Sequence, residues 1–199
     1  VPYFNAYSFV LARANEYEAD GFAAHVCGAP TAASALSTVE VRARYLSERY
    51  WPDVYKSANR EAMPSFAPYA NLPARYGAGL SDADANTWLS QALRRKTGTD
   101  DTHPALVDRL ASLKQGAQIE PQPAEDAAQH YLGASLEGLI ATFDTLWLER
   151  IRDGWQERHE YAREAQAKLA ELDGKAARET LSADEAMNRA QWTEEFRSA

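Results

Sequence analysis

Two carboxylates four residues apart are the first side chains in the chain that could do chemistry together. On a helix Glu16 and Asp20 lie about 40° apart, so both project from one face. Arg13, three residues before Glu16, projects from the same face. Buried carboxylates need a cation, a metal ion or hydrogen-bond donors. The spacing therefore predicts either salt bridges to Arg13 or part of a metal site.

The sequence around these carboxylates resembles one helix of a peptidase family. After an Arg it reads Glu-Tyr-x-Ala-Asp-x-x-Ala, which is similar to the third-ligand helix of the zinc endopeptidase family that includes HtpX and the CAAX prenyl endopeptidase. The resemblance implies that Glu16 is a zinc ligand and that Asp20 and Arg13 support it. Catalytic zinc takes three protein ligands and keeps an open position for a water, whose acidity it raises.

A second segment resembles the same family. Residues 102–110 match the pattern Thr-His-Pro-x-x-x-x-Arg-Ile/Leu, found near the end of the family's catalytic domain. The resemblance implies that His103 approaches the metal as a fourth ligand or gate, and that Arg109 is its active-site neighbour. The two segments occur in the family's order and together cover residues 3–113.

One departure from the family concerns the other zinc ligands. The sequence contains no His-Glu-x-x-His motif; His159-Glu160 begins one, but Arg163 stands at its last position. We expect two ligands and the general base to lie upstream of Val1. The chain would then be the second half of a catalytic domain and inactive alone. The alternative is a non-catalytic helical interaction module or a degenerate peptidase relative.

The pattern of apolar residues predicts an all-α protein. Hydrophobic residues make up 45% and charged residues 25% of the chain, which is typical of a globular protein. No stretch alternates for long between apolar and polar residues, as strands would. Residues 63–80, rich in Pro and Gly, are predicted to be an irregular loop. The predicted helices are 3–26, 32–50 after a Thr31 cap, 53–59, 81–96 opened by Ser81, 103–113 after a Thr102 cap, 135–172 ended by Asp173-Gly174, and 182–196.

The helices are predicted to form three parts. Residues 1–115 are the metallopeptidase-like part, 116–134 a linker with a short helix, and 135–199 a helical extension. Ser182 and Glu185 form a capping box at the start of the last helix. That helix is similar to the entry into a tetratricopeptide-type array, and a plain packing helix is the alternative.

The remaining candidate residues are predicted to have structural roles or are assigned none. Trp147 and Trp155 belong to an apolar stripe and are predicted to pack in a core. Cys27 is predicted to be a small buried residue. His25 lies on the helix face opposite Glu16 and is predicted to be structural. His130 and His159 are assigned no role.

Charge and composition limit the partners. Lys and Arg number 21 against 29 Asp and Glu, a net charge of −8, which argues against nucleic acid as the main partner. A single cysteine excludes an internal disulfide and a cysteine-based zinc knuckle. The resemblance implies a protein or peptide substrate and a cytoplasmic or membrane-associated bacterial protein. Any membrane association would come from sequence outside this chain. A half-domain exposes apolar surface, so we expect a homodimer.

Overall fold

The computed structural model describes residues 2–99, 101–119 and 127–197, and only the backbone of residues 2–7 and 78. Every regular element in these ranges is helical, which confirms the all-α prediction. A π-helical turn, Leu46–Tyr50, precedes α3, and a 3-10 turn, Ser57–Asn59, follows it. The α-helices are α1 (Pro2–Cys27), α2 (Ala29–Tyr45), α3 (Trp51–Lys56), α4 (Pro68–Gly79), α5 (Asp82–Arg94), α6 (Leu106–Leu113), α7 (Ala127–Leu132), α8 (Ser135–Ala176) and α9 (Ala183–Arg197).

The chain divides into two compact units, each with buried apolar residues. The first unit comprises Val1–Trp51 and Ala74–Gly133, and the second comprises Pro52–Pro73 and Ala134–Ala199. In the first, α2, α5 and α6 bury the cluster Ala33, Ala92, Leu106 and Leu110. In the second, α8 buries Trp147, Trp155, Ala162, Ala165 and Leu169. The predicted packing role of the two tryptophans is therefore confirmed. The predicted linker, 116–134, lies partly outside the described residues.

The turn between the first two helices depends on a glycine. Gly28 has a φ of +89°, a conformation that costs a residue without Cβ little, and it lets the chain reverse directly after α1. α2 then begins at Ala29, with Pro30 in its first turn, where proline is tolerated. The prediction that Thr31 caps this helix was wrong, because Thr31 already lies inside it.

The prediction of an irregular loop over residues 63–80 was wrong for most of its length. Pro68–Gly79 is a helix, despite Pro73 inside it. The carboxylate of Asp144 accepts hydrogen bonds from the backbone N–H of Tyr69 at 2.8 Å and of Ala70 at 3.1 Å. These N–H groups have no partner within the helix, so a carboxylate beside them stabilises its first turn. The accepting carboxylate lies 74 and 75 positions away from these residues in the sequence.

The long helix α8 continues past its predicted end. Asp173-Gly174 was predicted to stop it, but α8 runs to Ala176. The Asp173 carboxylate binds Arg189 and Arg197 of α9, each at 2.7 Å. These ion pairs join the last turns of α8 to α9.

The capping box predicted at the start of α9 is confirmed. Ser182 N–H donates to Glu185 Oε2 at 2.9 Å, and Glu185 N–H donates to Ser182 Oγ at 3.3 Å. Lys175 Nζ donates to the other oxygen of Glu185 at 2.6 Å. These donors, with Lys175 the largest cause, lower the pKa of Glu185 from 4.5 to about 2.

We predict that this carboxyl stays ionised in acid that protonates ordinary glutamates. Because its folded pKa lies below its unfolded value, its stabilising effect is present above about pH 4.5 and is lost as the pH falls towards 2. A carboxyl NMR titration of Glu185 should give a midpoint near 2, and Lys175→Met should move it up towards 4.5. Lys168→Met, at an exposed position of α8, is the matched control and should leave it unchanged. A native midpoint near 4.5 would contradict the prediction.

Part of α1 exposes apolar side chains. Val10, Leu11, Phe22 and Val26 are 55–84% exposed. Cys27 is also exposed, so the prediction that it is buried was wrong; its thiol donates to the carbonyl of Ala23 at 3.0 Å.

None of the helices in the described ranges is both long and apolar enough to cross a membrane.

Candidate active site

A bidentate ion pair joins α1 to α6 within the first unit. Arg109 Nε donates to Asp20 Oδ2 at 2.7 Å, and its Nη2 donates to Oδ1 at 2.6 Å. The planar guanidinium matches both carboxylate oxygens, which gives this pair a fixed orientation. The Asp20 side chain is only 6% exposed. Within the described residues, Arg109 is the cation that pairs with this buried carboxylate.

Glu16 lies one helical turn from Asp20 and shares the same arginine. Arg109 Nη1 lies 3.2 Å from Glu16 Oε2. The other carboxylate oxygen, Oε1, lies 2.8 Å from Nδ1 of His103. Glu16 is thus held from two sides, by a cation on α6 and by an imidazole from the loop before it. The structure brings together four of the five predicted site residues: Glu16, Asp20, His103 and Arg109.

Burial decreases from Asp20 outwards. The exposed fractions are 6% for Asp20, 21% for Arg109, 26% for Glu16 and 72% for His103. The hydrogen bonds from Arg109 to Asp20 raise the pKa of Arg109, against the opposing effect of its own burial, so the guanidinium stays charged. Solvent therefore reaches the Glu16–His103 side of the cluster, and Asp20 lies behind it.

Arg13, the fifth predicted residue, turns to a different partner. Its Nη1 donates to the carbonyl of Gly98 at 3.0 Å. Gly98 belongs to the loop that carries His103. Arg13 therefore ties α1 to this loop, and the salt bridges to the carboxylates are made by Arg109.

Two polar residues order the same loop and were missed by the sequence analysis. Asp101 accepts hydrogen bonds from Gly98 N–H at 2.8 Å and from Arg95 Nη2 at 3.0 Å. The bond from Gly98 is the largest cause of a lowered pKa for the Asp101 carboxyl. Thr97 Oγ1 donates to Asp108 and accepts from the backbone N–H of Ala105. Neither set of hydrogen bonds follows from the local sequence pattern.

The start of α6 was predicted wrongly. Thr102 was expected to cap a helix beginning at His103, but α6 begins at Leu106, after Ala105. The hydroxyl beside the start of α6 belongs to Thr97, eight positions before Ala105. It accepts a hydrogen bond from the backbone N–H of Ala105. As a result His103 lies in the loop, and its ring can reach Glu16.

The metal-binding capacity of this cluster is incomplete. Glu16 and His103 offer a carboxylate oxygen and an imidazole nitrogen, two of the ligand types that zinc prefers. Within residues 2–99, 101–119 and 127–197, no group of three or more His, Cys, Asp or Glu side chains could hold a metal ion. The described residues thus provide at most part of a zinc site.

Comparison with known families agrees with this geometry. The family model described as Peptidase family M48 matches residues 3–117. The chain belongs to peptidase family M48. All five predicted site residues lie inside the matched segment. Membership of family M48 supports a metallopeptidase-type function, with protein or peptide as the substrate. No curated protein and no solved structure matches the chain.

The other histidines of this M48 chain have contacts or positions of their own. His25 is exposed near the end of α1. His130 lies in α7 with its ring against Tyr131. In the second unit, Nδ1 of His159 lies 3.0 Å from the carbonyl oxygen of Ala58, a contact that helps hold the 3-10 turn against α8.

Proposed function

We propose that this chain is the C-terminal part of the catalytic domain of a zinc metalloendopeptidase, of the type that includes HtpX and the CAAX prenyl endopeptidase. The proposal rests on one observation above all. Within the segment that matches family M48, the Glu16 carboxylate lies between His103 and Arg109. In this proposal residues 1–115 contribute to catalysis and residues 135–199 form a helical extension.

The chemistry of the cluster fits one side of a zinc site. A metal-binding carboxylate needs neighbours that fix its orientation, and their loss commonly costs about 10–100-fold in metal affinity. Arg109 supplies such a neighbour for Glu16, and Asp20 in turn fixes Arg109. Because catalytic zinc takes three protein ligands, two further ligands and a general base would come from sequence upstream of Val1. This is why we expect the chain alone to be inactive.

Each residue of the cluster has its own part in this proposal. Zinc, when bound, would polarise the scissile carbonyl and activate a water. Glu16 would hold the metal, and Arg109 would orient its carboxylate. His103 has one ring nitrogen against Glu16 and is 72% exposed. Its other nitrogen is therefore available to a ligand or a substrate at the mouth of the site.

The exposed apolar residues of α1 also support the proposal. Phe22 is 65% and Val26 84% exposed, although both sit on the helix that carries Glu16. A helix that contributes one face to a catalytic centre normally buries its apolar residues against other elements of the same domain. We propose that the upstream half of the domain covers them.

A zinc titration tests this function directly. The chain joined to its natural upstream sequence should bind one zinc ion, and Glu16→Ala should lower the zinc affinity by more than about 100-fold, because it removes a ligand rather than an outer partner. Glu18→Ala is the matched control, since Glu18 is an exposed carboxylate two positions further along α1. Stoichiometric zinc that Glu16→Ala leaves unchanged would contradict the role of Glu16. No zinc in the joined protein would favour the non-catalytic helical module.

A further inference from the structure

A cavity of about 440 Å³ in the second unit is lined by three cationic side chains. They are Lys56 at the end of α3, Arg60 just after the 3-10 turn, and Arg197 at the end of α9. The volume lies within the range of roughly 300–1,000 Å³ that is common for small-ligand sites. Three cations around one cavity stand out in a chain whose net charge is −8.

Most of this positive charge is uncompensated within the described residues. Arg197 pairs with Asp173 at 2.7 Å, but that carboxylate is shared with Arg189. Neither Lys56 nor Arg60 makes an ion pair in the part of the chain that the structure describes. Like charges held close together repel, so an anion in the cavity would relieve that repulsion.

The cavity also offers a neutral hydrogen-bond donor. Asn59 Oδ1 accepts from Arg158 Nε at 2.7 Å, and since arginine can only donate, this contact fixes which end of the amide is the oxygen. The Asn59 NH₂ group therefore remains a donor. Gln166 also lines the cavity, and its side-chain amide nitrogen donates to the backbone carbonyl of Asn59 at 3.4 Å.

Beside these polar groups the cavity has an apolar wall. Phe196 is partly exposed in the lining, whereas Leu169, which also borders the cavity, is only 1% exposed. The Phe196 ring is held in place by the ring of Tyr161, with centroids 6.2 Å apart, and by the Arg158 guanidinium 5.5 Å from its centroid. An anion alone would leave the exposed part of the Phe196 ring in contact with water, so the site favours a ligand with an apolar group close to its charge.

We propose that this cavity binds the free C-terminal carboxylate of a peptide whose last residue is apolar. The α-carboxylate would lie among Lys56, Arg60 and the Asn59 amide, and the terminal side chain would lie against Phe196. Such a group carries one anion directly beside an apolar side chain, as the lining requires. The choice of a peptide rests on the proposed peptidase function; the requirement for an anion with an apolar neighbour rests on the cavity alone.

Calorimetric titration with a matched pair of peptides tests the proposal. One probe is an N-acetylated tripeptide ending in Leu with a free carboxylate, and the other is its C-terminal amide. The acid should bind at least tenfold more tightly than the amide, and added salt should weaken the acid selectively. Lys56→Met combined with Arg60→Met should remove this difference. Arg152→Met combined with Arg163→Met, at exposed positions of α8 outside the lining, removes the same charge and should preserve it.

Several results would overturn the proposal. They are equal binding of acid and amide, an equal loss in the control pair, and competition by inorganic phosphate as strong as binding of the peptide acid. Circular dichroism checks that each variant is folded. Repeating the titration with Glu16→Ala separates this site from the proposed catalytic one, because the cavity should bind the peptide acid with or without zinc. Loss of zinc binding in the earlier experiment would therefore leave this result intact.

Discussion

Arg109→Met should lower the free energy of unfolding by about 3–5 kcal/mol, the cost of leaving a buried charge without its partner. The Asp20 side chain is 6% exposed and receives two hydrogen bonds from Arg109, at 2.6 and 2.7 Å. Methionine has a similar length and keeps much of the packing of the arginine stem. The loss would therefore come from the unpaired carboxylate. Urea denaturation followed by circular dichroism measures it.

A double variant separates the charge effect from a loss of packing. Asp20→Leu combined with Arg109→Met removes both charges, and replacing a buried ion pair with apolar residues is often neutral. We therefore expect the double variant to recover most of the lost stability. Arg13→Met, which removes only a hydrogen bond to the Gly98 carbonyl, should cost about 1 kcal/mol or less. A cost below about 1 kcal/mol for Arg109→Met would mean that the pair behaves like an exposed salt bridge.

Glu16→Gln should lower kcat/KM for peptide hydrolysis by more than about 100-fold in the chain joined to its upstream sequence. Glutamine keeps the shape of the side chain and can still hydrogen-bond to His103. It loses the negative charge that would bind the metal and pair with Arg109. The expected fall therefore isolates the charge at position 16. Initial rates on a peptide substrate, measured with zinc in excess, give the ratio.

The matched control for this prediction lies on the same helix. Glu18→Gln removes one carboxylate charge from an exposed position of α1, about 200° around the helix from Glu16. Its kcat/KM should stay within about twofold of the parent. A fall of less than tenfold for Glu16→Gln, or an equal fall for Glu18→Gln, would contradict the assigned role.

The sequence predicted those parts of the fold whose signals are local. α8 follows a long apolar stripe that includes Trp147 and Trp155. Ser81 accepts from the N–H of Asp84 at 3.1 Å, as a cap at the start of α5 should. The start of α9 shows the predicted capping box. In each case the residues that stabilise the element lie within one or two turns of each other. Their spacing alone therefore carries the information.

Two of the wrong predictions share a physical cause, which is support from distant residues. The Asp144 carboxylate accepts hydrogen bonds from the first N–H groups of α4. The Thr97 hydroxyl accepts one from the N–H of Ala105, the residue before α6. The candidate site is similar. The spacing of Glu16 and Asp20 put them on one face, but Arg109, which pairs with Asp20, is 89 positions away. Only the resemblance to a family linked these segments, and nothing in the sequence directed Arg13 towards Gly98.

The position of the metal decides whether Glu16 is a zinc ligand. Crystals of the chain joined to its upstream sequence, measured at the zinc absorption edge, would locate the ion by its anomalous scattering. We predict one zinc ion about 2.0–2.2 Å from a carboxylate oxygen of Glu16, with His103 on the same side of the cluster. A zinc ion bound elsewhere while Glu16 remains paired only with His103 and Arg109 would contradict it.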